Sequence, residues 1–296
     1  MSETKRVTAI VDAHVHIHSC YEPDVFLDHA YNNLSRSPGG RGGRGGDGPA
    51  ANGQSPVADP AYFLLMTESA GDDYFGALRS AANPDTRSFS AGQKPLLKRW
   101  SVTATAEPEC VVARDGDRRL YIVGGRQVAC REGLEVLILG TIRRFRDGLP
   151  IRDVLMEAGM LGVPHVIPWG MGKWFFQRGK LLSALLRDFR KPTLFLGDEG
   201  GRPGFWPYPA HFREGAALGV RDLPGTDPLP FAHDVEKVGR MGFRVGIDLD
   251  ESRPVASLFR TLCDSSTQLD RFATLEPPLL FVRNQVAMQL RKRRSA

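Results

Sequence analysis

Apolar and polar positions along this chain follow two different periods. Residues 7–15 (VTAIVDAHV) form a near-continuous apolar run, the pattern of a strand covered on both faces. Residues 20–34 carry Val25, Phe26, Leu27 and Leu34 and suit a short helix. Residues 61–67 (AYFLLMT) predict a second strand. Residues 72–82 predict a helix with Tyr74, Phe75, Leu78 and Ala82 on one side. Strands are expected at 101–105, 110–114 and 119–123, the last two joined by Asp115-Gly116-Asp117, a favourable hairpin turn. Residues 134–140 (LEVLILG) give the clearest buried strand.

From there strands and helices alternate. Helices are expected at 149–158, 179–189, 211–217 and 254–263, and strands at 164–168, 193–196 and 243–247. A short strand is also expected just before Gly225-Thr226-Asp227-Pro228. Residues 277–294 suit a terminal helix with Leu279, Leu280, Val282, Val286 and Leu290 buried. Repeated strand–helix units imply parallel strands and right-handed crossovers. The expected fold is therefore α/β, a distorted (β/α) barrel with mostly parallel strands, forming one domain over residues 1–296.

Residues 37–56 (SPGGRGGRGGDGPAANGQSP) lack the apolar side chains for a core and predict a disordered insertion. Their two Arg-Gly-Gly units also resemble RNA-binding arms. The net charge of +5 is modest, and part of it lies in the basic tail at 291–296. Such a tail is a solvated end or a contact for nucleic acid or an anionic membrane. A hydrophobic fraction of 42% and a charged fraction of 25% suit a soluble globular protein. No apolar run approaches the roughly 20 residues that span a bilayer. The N-terminus lacks the apolar core of a signal peptide. Four scattered cysteines without a C-x-x-C pair argue against a zinc ribbon or a disulfide framework. A cytoplasmic location is expected.

The chemistry begins at His14, His16 and His18, which alternate along the end of the first strand. Side chains in a strand alternate faces, so these imidazoles point the same way and are able to grip a divalent metal. The same pattern also suits a polar strand face whose histidines are simply satisfied. Other unusual residues follow later strands: Glu68, Trp169, Asp198 and Asp227. In a barrel they would converge on one mouth, where a metal acidifies water and a carboxylate takes its proton. Asp198 and Glu199 lie in a glycine-rich loop and equally suit turn or capping roles. Trp169, Lys173 and Trp174 form one aromatic and basic segment; Arg202, Phe205 and Trp206 lie in another. These suit a sugar, a nucleobase or a phosphorylated ligand, with Lys173 and Arg202 as phosphate partners and Trp169 and Trp206 as platforms. The alternative is that the rings plug the mouth. His165 reads as a core histidine. His211 and His233 lie in loops, His233 close after Asp227.

Asp12-Ala13-His14-Val15-His16, followed by Ser19-Cys20-Tyr21, resembles the opening motif of the polymerase and histidinol phosphatase (PHP) superfamily. Later segments fall in the family's order. These are Leu64 to Ser69, Val123 to Val128, Glu135 to Gly140, Val163 to Gly170 and Gly225 to Leu229. The resemblance implies a PHP-type barrel and metal-dependent phosphoester cleavage. It places His14, His16 and Asp227 at metal-ligand positions. It also marks departures: Ser69, Gln127, Leu137, Trp169 and Leu229 stand where the family has ligands. Glutamine is neutral and a poor bridge between cations. A full metal cluster is therefore not expected. Three ligands still suffice for one ion.

The expected function is a divergent metal-dependent hydrolase, phosphoesterase-like or amidohydrolase-like. One divalent ion (zinc, manganese or iron) is expected on His14, His16 and Asp227, with Asp227, Asp198 and Glu68 as candidate catalytic carboxylates. The substrate is expected to be a small molecule, phosphorylated or not. The alternative is a non-catalytic descendant of the barrel that binds a ligand or a protein. A third reading is an RNA-associated protein.

Overall fold

A computed structural model describes residues 4–37, 59–83, 96–189 and 191–295. Nearly all of the 37–56 insertion lies outside the described residues, as do the side chains of the 291–296 tail.

Strand β1 (Lys5–Val15) opens the fold and leads to α1 (Pro23–Arg36). Helix α1 starts where Glu22 accepts the Val25 N–H at 2.9 Å and Pro23 takes the first turn. Strand β2 (Ala61–Met66) and helix α2 (Tyr74–Ala82) follow. Five strands then run with no helix between them: β3 (Ser101–Ala104), β4 (Cys110–Asp115), β5 (Arg118–Val123), β6 (Gly125–Ala129) and β7 (Glu135–Leu139). After α3 (Ile151–Leu161), strands and helices alternate. They are β8 (His165–Pro168), α4 (Phe176–Asp188), β9 (Leu194–Glu199), α5 (Ala210–Ala217) and β10 (Arg221–Gly225). A 3-10 turn (Ala232–Lys237) precedes β11 (Gly242–Leu249), α6 (Pro254–Leu262), β12 (Asp270–Phe272) and α7 (Pro278–Ser295).

The strands form two mixed sheets and no closed barrel among the described residues. One sheet has the order β12-β11-β1-β2-β5-β4-β3; the other is β10-β9-β8-β7-β6. The barrel of parallel strands expected from the sequence is thereby corrected. Only β1–β2 and β2–β5 are parallel in the larger sheet, and its other pairs are antiparallel. The reason lies in the connections. A parallel pair needs a crossover of a dozen or more residues, whereas antiparallel neighbours need only a tight turn. Between β4 and β5 stand only Gly116 and Asp117, whereas Gly124 between β5 and β6 carries the chain from the larger sheet to the smaller. In the smaller sheet β10–β9 and β9–β8 are parallel, as helical connections allow, and β8–β7–β6 are antiparallel.

The sheets share a core. Val11, Phe63 and Phe243 of the larger sheet pack with Leu137, Phe195 and Leu223 of the smaller. A second apolar cluster lies under α1 and α2, and a third under α3, α4 and α5. Helix α7 departs from the expected orientation. Phe281 and Asn284 are buried, while Leu279, Val282, Val286 and Leu290 face outward. The inward face is set by polar chemistry: the Asn284 amide donates to Glu276 at 2.8 Å, and Lys237 holds the same carboxylate at 2.5 Å.

Candidate metal centre

The site forms where β1 meets the end of β10. The Asp12 carboxylate is fully buried and accepts the Thr226 N–H (2.8 Å), the Thr226 hydroxyl (2.5 Å) and the Gly239 N–H (2.9 Å). Burial pushes its pKa up to about 6, against the pull of these donors. One residue further on, the Asp227 N–H donates to the His14 carbonyl at 2.8 Å. Gly225 permits this approach, since a Cβ there would lie 2.3 Å from the His14 nitrogen. Asp227 adopts φ +47°, a left-handed conformation that Asp tolerates better than most residues.

These contacts bring three donors together. His14 Nε2 and His16 Nε2 lie 3.1 Å apart, and Asp227 Oδ1 is 3.5 Å from each. Bonds of about 2.0–2.1 Å at tetrahedral angles separate two zinc ligands by about 3.3–3.4 Å. The observed triangle has those dimensions. Both histidines are buried, and the Asp227 side chain is 26% exposed at the open side. Two neutral imidazole nitrogens at this spacing repel unless a proton or a cation lies between them. The chemistry of the donor set therefore fits a divalent ion.

The surroundings are charged. His14 Nδ1 faces Glu199 Oε1 at 3.4 Å, and neither of these buried atoms has a well-formed hydrogen bond. A carboxylate behind a metal-ligating imidazole fixes its tautomer and leaves the other nitrogen for the ion. Burial alone would lower the His14 pKa, but the Asp227 and Glu199 carboxylates outweigh it and push it up to about 9. Burial, then the charge of His14, brings His16 down to about 3. Burial and the Asp227 charge raise Glu199. For Asp227 the effect of burial is outweighed by His14, His16 and Lys173, and its pKa is lowered. Gln127 Oε1 is 3.3 Å from His14 Nε2, and the Thr67 hydroxyl is 3.3 Å from His16 Nε2. Lys173 pairs with Glu135, and its charge reaches both Glu199 and Asp227.

Other residues singled out in the sequence lie apart from this cluster. Glu68 is buried against Arg126 at 3.1 Å and accepts the Phe75 N–H at 2.8 Å. Asp198 is buried between Arg202, which it binds through both oxygens at 2.8 and 3.0 Å, and Arg271 at 2.6 Å. The Arg202 guanidinium is thus engaged within the protein and is itself buried. Trp169 is buried in the cluster under α4, and Trp206 stacks on Phe175 with centroids 6.1 Å apart. His18 is the exception: its ring stacks on that of His16 with centroids 5.6 Å apart, and it bonds to the Pro228 carbonyl at 2.8 Å. His165 is buried and donates to the Val163 carbonyl at 2.9 Å. His211 binds the Gly179 carbonyl, and His233 faces Arg283 and Asp234.

Glu135 is not among the residues expected from the sequence, and Glu199, read there with Asp198 as part of a glycine-rich loop, instead ends β9. A signal for both exists in the alternation of their strands. Glu135 shares parity with Leu137 and Leu139, and Glu199 with Phe195, all of which line the core between the sheets. Asp198 has the opposite parity.

No family model matches the chain, and no curated protein matches it. Among solved structures, the chain is similar to PsfC from Pseudomonas syringae PB-5123. That likeness has 15% identity and a TM-score of 0.49, and covers 96% of this chain and 98% of that one. It is also similar to the lesion-specific endonuclease PfuEndoQ from Pyrococcus furiosus, at 11% identity and a TM-score of 0.47, over 90% of this chain and 58% of that one.

Proposed function

We propose that the chain is a metal-dependent hydrolase of phosphoesterase type, a divergent relative of the PHP enzymes its opening motif resembles. The observation that carries this reading is the triangle of His14 Nε2, His16 Nε2 and Asp227 Oδ1, with sides of 3.1, 3.5 and 3.5 Å. These three residues would hold one divalent ion. When bound, such an ion supplies Lewis acidity, acidifying water and drawing charge from a phosphoryl oxygen.

The chain's own residues do the rest. Glu199 keeps the His14 Nδ1 proton in place, so that Nε2 presents its lone pair. Asp227 is the partly exposed member, and its Oδ2 takes a proton from the attacking water. Lys173 supplies positive charge beside Asp227 for a phosphorylated small-molecule substrate.

The test is metal analysis of protein purified without chelator, compared with His14→Ala/His16→Ala. One equivalent of divalent metal, lost in the double variant, is expected. Phosphatase and phosphodiesterase activity on p-nitrophenyl esters should disappear with it. Metal-free native protein would overturn the reading.

A further inference from the structure

A cleft of about 570 Å³ opens between the C-terminal end of α1 and the segment around β12. Three arginines line it, and no Asp or Glu does. Arg271 is engaged within the protein, by Asp198, Asp222 and the Tyr208 hydroxyl. Arg36 and Arg240 are exposed, and neither guanidinium has a partner among the described residues.

These two side chains come from separate elements that the fold holds together. The Asn33 amide donates to the Glu236 carbonyl at 2.9 Å and to the Val238 carbonyl at 2.7 Å, clamping the turn before β11 against α1. Gly239 completes the contact at φ +80°, where a Cβ would lie 2.9 Å from the Ala30 carbonyl oxygen. Its N–H donates in turn to the buried Asp12 carboxylate at 2.9 Å. The backbones that carry Arg36 and Arg240 are thus fixed relative to each other, which lowers the cost of ordering the site around a ligand. Phe272 gives the cleft an apolar wall, and the Thr274 hydroxyl adds a donor.

The positive charge is a spot rather than a track. Neighbouring cations are already neutralised: Lys237 by Asp234 and Glu276, and Arg244 by Asp270. A nucleic-acid strand needs cations spaced along a groove that follows successive phosphates. A cleft of this volume suits a small molecule instead. Two guanidinium forks with no acid beside them suit one that carries adjacent phosphoryl groups.

We infer that Arg36 and Arg240 form a binding site for a small phosphorylated anion of the diphosphate class. The inference is independent of the metal centre. The test is calorimetric titration of the full chain with inorganic pyrophosphate, with chelator present so that no metal takes part. Saturable binding of one equivalent, weakened by added salt, is expected. Arg36→Gln/Arg240→Gln should weaken it by about tenfold or more. Arg213→Gln/Arg260→Gln removes the same charge from exposed positions on α5 and α6 and should leave it unchanged. Both pairs lie outside the cores, and circular dichroism checks that the variants fold. Absence of saturable binding, binding unaffected by Arg36→Gln/Arg240→Gln, or an equal loss in the two pairs would each overturn the inference. So would a single-stranded oligonucleotide that binds at the same arginines more tightly than pyrophosphate.

Discussion

The Asp12 carboxylate binds both the N–H and the hydroxyl of Thr226, tying the first strand to a residue 214 positions later. The two imidazoles and Asp227 stand on opposite sides of that tie. Asp12 is thus a positioning residue. Asp12→Asn places an N–H donor where three donors already point and leaves at least one buried group unpaired. We expect a loss of about 1–3 kcal/mol in stability and a fall in zinc affinity of about 10–100-fold. Urea unfolding and calorimetric titration with zinc measure the two effects. Unchanged affinity in a folded variant contradicts the role.

Gly225 makes the same junction possible by having no side chain. A Cβ there meets the His14 nitrogen at 2.3 Å and its Cβ at 2.5 Å, and backbone atoms cannot step aside. Gly225→Ala should therefore force β1 and β10 apart at a cost of about 1–3 kcal/mol or more. Metal affinity should fall with it. A crystal structure of the variant would show a widened His14–Asp227 separation. Wild-type separation and affinity would refute the argument.

Glu68 and Asp227 were both expected to act in catalysis, and their surroundings predict opposite variant behaviour. Glu68 is buried with Arg126, and removing one partner of a buried pair costs about 3–5 kcal/mol. The low end applies to Glu68→Gln, because Arg126 keeps the Asp72 carbonyl at 3.0 Å. Asp227 is partly exposed, and its φ of +47° suits asparagine as well. Asp227→Asn should keep its backbone bond to His14 and lose less than about 1 kcal/mol. Metal content should follow the reverse order, retained by Glu68→Gln and lost by Asp227→Asn. Thermal unfolding paired with metal analysis separates the two.

The parts of this fold legible from sequence were those encoded locally. The apolar runs of β1, β2 and β7 are strands, the Asp115-Gly116-Asp117 turn makes its hairpin, and the histidine pair ends β1. Sheet closure was not legible, because it depends on how strands pair over long separations. The single residue Gly124 between β5 and β6 is where the chain leaves the larger sheet for the smaller, a switch no local pattern announces. Nor was the rotation of α7. Its apolar stripe satisfies the helical period as well as a buried face would, and the Asn284–Glu276 bond decides which side turns inward. The alternation of β7 turns Glu135 inward, but its pairing with Lys173, 38 residues away, is long-range and leaves no local mark.

His165 gives a pH dependence of stability. Burial lowers its pKa from the ordinary 6.5, against its hydrogen bond to Val163. The native imidazole thus stays neutral while the unfolded chain takes up a proton. Below about pH 6.5 the unfolded state binds more protons, so stability falls as pH falls until the native group titrates. Above that pH the contribution is complete. The slope from one proton is at most about 1.4 kcal/mol per pH unit. His165→Asn retains a donor toward Val163 but has nothing to titrate. Urea unfolding of both proteins between about pH 7.5 and 5.5 should show the steeper fall in the wild type. Equal slopes would remove His165 as the source.

A metal held by the folded state alone must also stabilise it. For one site the gain is about 2.7 kcal/mol when free metal stands at 100 times the dissociation constant. Such a gain raises the unfolding temperature by several degrees, by less in larger proteins. Added zinc or manganese should therefore shift the melting curve of the wild type upward, and a chelator should reverse the shift. His14→Ala/His16→Ala should melt at the same temperature with or without metal. A shift that persists in that variant would place the binding elsewhere, on the thiols or surface carboxylates. The same melting experiment on Asp198→Asn provides the contrast. That variant starts from lower stability, since Arg202 and Arg271 lose their buried anion. It should still respond to metal, because the three donors do not include Asp198.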